Sequence, residues 1–214
     1  MPTAALFLYI LPIVLLSLAI HEYAHAKVAD SAGDPTPRMF GRVTMNPFNH
    51  LDPMGTLMIV LSSMAGFGLG WGRPVPMDPN KMRNPRWDHF SAVIAGPVSN
   101  LLIAGICAIV LRLGASALPS GLVIFLTLAV LVNISLFLFN LLPIGPLDGM
   151  WIAGTFMSPP VRHQWVRWNL TTGSLVFLGI LMLGWISPEL SIVSKVLMPG
   201  RELLEKLLLG RTLL

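Results

Sequence analysis

The chain has 214 residues, of which 54% are apolar and only 11% charged, with a mean hydropathy of +0.73. Soluble domains carry about 25% charge, so this composition excludes a water-soluble globule, a disordered chain and a disulfide scaffold. The net charge of +4 comes from Lys and Arg in short loops between apolar segments, and no basic stripe with interleaved aromatics occurs. That distribution belongs to a multi-pass membrane protein, and nucleic acid is excluded as a partner. The single cysteine, Cys107, lies in an apolar run and reads as a small hydrophobe.

Residues 3–20 are uncharged, and eighteen helical residues span about 27 Å, nearly a full hydrocarbon core. Pro12 should kink that helix. Residues 54–70 are apolar and run into Gly66, Gly68, Gly70 and Gly72, whose period of two suits a strand edge as well as it suits a flexible turn. Clear spans follow at 90–111, 122–142 and 170–187. The tail from Pro199 sets Leu203, Leu204, Leu207 and Leu208 against Arg201, Glu202, Glu205 and Lys206, an amphipathic pattern suited to a membrane interface. The expected fold is therefore an all-α polytopic integral membrane protein. It has four transmembrane helices, a re-entrant Gly-rich segment and a C-terminal amphipathic helix. Residues 1–188 form the embedded core and 189–214 the tail.

Two constellations carry chemistry. His21-Glu22-Tyr23-Ala24-His25 is an H-E-x-x-H motif at the end of the first span. On a helix, positions i and i+4 share one face, so both imidazoles can grip one Zn²⁺ while Glu22 takes a proton from the attacking water. Ionisable groups at a bilayer span are costly and functional by default. The bland alternative is a set of polar residues marking a helix end. The second constellation runs from Asn140 to Gly149. Between Leu113 and Val161, 49 residues, Asp148 is the sole charge. Such a carboxylate should be neutral or paired with a cation, and by its isolation it is the best candidate for a third zinc ligand. Its alternative is a neutral Asp in a turn.

These motifs, with Ala95-Gly96-Pro97 and Asn100 between them, resemble those of the site-2 protease family of intramembrane zinc metallopeptidases. Gly41–Pro47 and Gly70–Pro76 resemble its compact branch. The resemblance covers about residues 15–155 and implies one zinc per chain, held by His21, His25 and Asp148. It also implies Glu22 as general base, and cleavage of transmembrane or membrane-associated peptides within the lipid bilayer. No loop is long enough for the peptide-binding insertion that some members carry.

Asn100 and Asn140 could each donate to the oxyanion or hold an extended substrate, or could make interhelical hydrogen bonds. His50 could line the site, although an ordinary loop histidine is the better reading. Two rival functions remain. One is a catalytically silent metal-binding scaffold of the same fold, against which an intact Glu22 argues. The other is a transporter, which would need ionisable groups spread over several spans. Parity sets the expected topology. If His21, His25 and Asp148 share one ion, the first and the 122–142 spans end on one face, and 54–70 must re-enter rather than cross. Basic residues crowd the loops on that face, which makes it cytoplasmic in a cell-membrane protein.

Overall fold

The computed structural model describes residues 3–55, 57, 72–114 and 116–210. It is helical, with no β-strand among those residues. The helices are α1 (Thr3–Ser31), α2 (Thr36–Met39), α3 (Trp87–Gly114), α4 (Ser120–Asn140), α5 (Asp148–Thr155), α6 (Pro159–Trp168), α7 (Ser174–Ile186) and α8 (Ile192–Leu209). Among the described residues, four helical runs are long and apolar enough to cross a membrane: Leu8–Ser31, Trp87–Gly114, Ser120–Asn140 and Pro159–Ile186. The expected re-entrant run 54–70 lies almost entirely outside the described residues.

Two boundaries differ from the sequence expectation. Helix α1 does not stop with the apolar run near residue 20 but carries the H-E-x-x-H motif inside it and continues to Ser31. Residues 26–31 include Ala26 and Ala29, which are strong helix formers, and the chain turns only at Gly33, whose φ is +110°. The last span starts at Pro159 rather than 170. Arg162, His163 and Arg167 lie on α6, which joins α7 through a π-helical turn, Asn169–Gly173.

The chain divides into two compact units, Leu18–Gly96 and Met1–Ser17 with Pro97–Leu214. In the first, Ala29, Ala32, Met82 and Ala92 form a small core against Val28 and Met77. Asp34 pins its loops, accepting from the Thr36 N–H at 2.9 Å and from the Asp78 N–H at 2.7 Å. Burial pushes the Asp34 carboxyl up, but the Thr36 side chain, those two N–H groups and Lys81 outweigh it and hold the group below its ordinary value. Leu51 and Gly72 form an isolated antiparallel bridge.

In the second unit, Ala104, Ala108 and Leu111 of α3 pack on Val130 and Ile134 of α4, and Leu204, Leu208 and Leu209 of α8 cover them. Arg112 donates to the Leu207 carbonyl at 2.8 Å, near the negative end of α8. A buried polar string crosses the spans. The Asn100 amide donates to Asn133 Oδ1 at 3.0 Å, and the Asn133 amide donates to Ser17 Oγ at 2.9 Å. Each such bond between apolar helices contributes roughly 1 kcal/mol, and replacing one partner leaves the other unsatisfied in hydrocarbon.

Candidate metal centre

Helical periodicity alone stacks His21 above His25, and their rings meet edge to face with centroids 4.6 Å apart. Both residues are buried, and their Nε2 atoms stand 3.0 Å apart. Two imidazole nitrogens bound to one tetrahedral Zn²⁺ at 2.0–2.1 Å would be roughly 3.3 Å apart, so the pair is near the required spacing. The tautomer is also set. His25 Nδ1 lies 2.8 Å from the Ala92 carbonyl, which can only accept, so Nδ1 carries the proton and Nε2 the lone pair. A backbone carbonyl holding the distal nitrogen is the usual support of a metal-binding histidine.

Helix α3 makes room for this pair. A Cβ built at Gly96 would overlap His25 Nε2 and stand 2.7 Å from His21 Nε2. Any side chain there would occupy the space beside the two Nε2 atoms. The residues present thus fit a metal ion: two converging imidazoles and an emptied position facing them.

Asp148 is the first residue of α5, where the partial positive charge of a helix start favours a carboxylate. The chain reaches it through the turn after α4, in which the Ile144 N–H donates to the Leu142 carbonyl at 2.8 Å. Gly149 is required by close approach: a Cβ there would strike the carbonyl oxygens of Leu141 and Leu142.

The other candidate residues make contacts of their own. Asn100 is fully buried in the interhelical string with Asn133. The Asn140 amide donates to the Leu136 carbonyl one turn back on α4, at 3.0 Å. His50 is buried, and its Nε2 donates to the Thr44 carbonyl at 2.8 Å. Sequence reasoning missed Arg42, a buried arginine in the loop 40–50, and it missed Asn133 as the centre of the polar string. The lone polar residues Ser17 and Asn133 in apolar runs were the available signal.

Comparison with known proteins agrees with this chemistry. A profile described as Peptidase family M50 matches residues 112–183. A candidate zinc metalloprotease, YwhC of Bacillus subtilis (strain 168), is 39% identical over 177 residues, covering 79% of this chain and 78% of that protein. A candidate zinc metalloprotease named Rip2, from Mycolicibacterium smegmatis, is 30% identical over 155 residues, 70% of this chain and 57% of its own length. Its namesake from Mycobacterium tuberculosis (strain ATCC 25618 / H37Rv) is 28% identical over 188 residues, 85% of this chain and 71% of that protein. No solved structure matches the chain.

Proposed function

The chain belongs to Peptidase family M50, the site-2 protease family of intramembrane zinc metalloproteases, and on that premise we propose how its residues divide the work. His21, His25 and Asp148 hold one Zn²⁺, and Glu22 is the general base. The carrying observation is the pair of Nε2 atoms 3.0 Å apart with the His25 tautomer set by Ala92. Bound zinc supplies a Lewis acid that polarises the scissile carbonyl and acidifies water. Glu22, one residue beyond His21 on α1, accepts the proton of the attacking water and passes it to the leaving amine. Asn140 is the candidate for steadying the oxyanion or the extended substrate backbone, and Asn100 would do so from within the polar string. The silent-scaffold alternative is not favoured, because the relatives are named as metalloproteases and Glu22 is present.

The substrate in this reading is a transmembrane or membrane-associated peptide. A membrane helix has its carbonyls already hydrogen-bonded, so the segment to be cut must unwind first. Residues 1–188 form the embedded core. The tail 189–214 lies at the membrane interface, consistent with the exposed Leu203 and Leu207 on α8. Purified protein incubated with membrane-derived peptides should cleave them, and a chelator should abolish cleavage until zinc is restored. Cleavage that survives full removal of the metal would end this reading.

Cell-membrane location with the metal site toward the cytoplasm is the orientation we infer from charge. Lys27, Arg38, Arg42, Arg73, Lys81, Arg83, Arg86, Arg162 and Arg167 lie on segments assigned to one side, nine of the 14 basic residues. In a Cys107→Ser background, single cysteines at Asn80 and Ser116 report the two sides. An impermeant maleimide applied to intact cells should label Ser116→Cys and spare Asn80→Cys. Labelling at position 80 would make 54–70 a true span and reverse the assignment.

A further inference from the structure

Arg42 lies in the loop that follows α2, with only 4% of its surface exposed. A guanidinium carries five donors and a permanent charge, and a buried one is ordinarily matched by a carboxylate. For Arg42 that match is only partial, a longer-range attraction from Glu22. Its hydrogen bond among the described residues runs to the Asn49 carbonyl, and no carboxylate there pairs with it. Instead a second arginine is brought to the same turn. The Arg73 N–H donates at 2.8 Å to the carbonyl of His50, the residue after Asn49.

The surrounding charges agree with this. Burial, and then Arg73, pull the Arg42 guanidinium below its ordinary value, while Glu22 pulls it up, so both lie within electrostatic reach. The same turn holds another unspent group. His50 is 1% exposed, its Nε2 is committed to the Thr44 carbonyl, and its buried Nδ1 has no partner among the described residues. Burial and the second arginine outweigh Glu22, so the arrangement is stabilised when a further anion arrives.

We propose that Arg42, with the exposed Arg73 beside it, receives a carboxylate of the peptide being cut, so that the protease selects peptides with an acidic group close to the scissile bond. The proposal rests on the reading of Glu22 as base, since Glu22 ties Arg42 to the reacting atoms. The carboxylate could be an Asp or Glu side chain or a free C-terminus. Both present the same planar pair of oxygens to a guanidinium fork.

The test compares apolar synthetic peptides carrying Glu or Gln next to the cleaved bond, each with a free or an amidated C-terminus. With the zinc-loaded full chain, one of the two neutralisations should lower kcat/KM at least about tenfold, and which one does so identifies the source. Arg42→Gln should cut charged and neutral peptides equally, and Arg73→Gln, at an exposed position, should lose part of the preference. Binding of the same peptides to Glu22→Gln protein, read by fluorescence anisotropy, reports the pocket without turnover. If the wild type cuts nothing while the acidic peptide still binds about tenfold tighter, the protease reading falls and the carboxylate site stands. Equal binding of acidic and neutral peptides overturns the proposal. So does an Arg42→Gln protein that loses activity while keeping the wild-type preference, because Arg42 would then be only a strut of its loop.

Discussion

Glu22→Gln is expected to lower cleavage at least about 10²-fold while the protein keeps its zinc. The amide has nearly the shape of the carboxylate, so α1 and the imidazole pair on either side of it should keep their geometry. What it lacks is basicity. An amide oxygen cannot accept the proton of the attacking water, nor hand one to the leaving amine. His25 remains oriented by the Ala92 carbonyl at 2.8 Å, and that contact does not involve Glu22. The measurement is therefore double: peptide turnover, and zinc per chain by elemental analysis of the same preparation. Retained zinc with lost turnover supports the base assignment. Undiminished turnover would remove Glu22 from the chemistry, and lost zinc would make it part of the metal site instead.

The histidine pair of α1 was legible because its signal is local. Two histidines four apart need only a helix to share a face, and a helix there is dictated by an uncharged run too long for anything else. Asp148 stands out as a candidate for the opposite reason, its isolation among 48 uncharged neighbours. Gly96 was not legible. It stood in the sequence as part of a motif, whereas its physical role is to leave out a side chain opposite two imidazoles more than 70 residues away. Nothing on the sequence near Gly96 encodes that contact.

Arg42 and Asn133 failed to stand out for a related reason. A loop arginine and a span asparagine each have common, unremarkable readings, and only packing shows which applies. Asn133 is fully buried and links Ser17 to Asn100, so it is the middle of a hydrogen-bonded string. The start of the last span was misjudged because Arg162 and Arg167 look like loop charges. A helix can carry such charges on its exposed side, and α6 does so before passing through Asn169–Gly173 into α7. Asn169 also donates structure backward, its Oδ1 accepting from the Gly145 N–H at 2.7 Å in the turn that leads to Asp148.

Asp148→Ala is expected to weaken zinc binding at least about 10²-fold, with activity lost in step. Groups that merely orient a ligand are worth roughly 10–100-fold in metal affinity, so a direct ligand should cost no less than the upper end of that range. The two imidazoles would remain, because their spacing comes from α1 and their support from Ala92. A two-nitrogen site still binds zinc, only loosely, and its ion should leave on dialysis against a mild chelator. The expected signature is a protein that folds and is recovered with α-helical content unchanged, yet carries well under one zinc per chain. Excess zinc should restore occupancy in part, since mass action compensates for a lost ligand. A different result would reassign the residue. If Asp148→Ala kept stoichiometric zinc through dialysis but cleaved nothing, the carboxylate would act on substrate or water. The metal would then need its third donor from elsewhere in the chain.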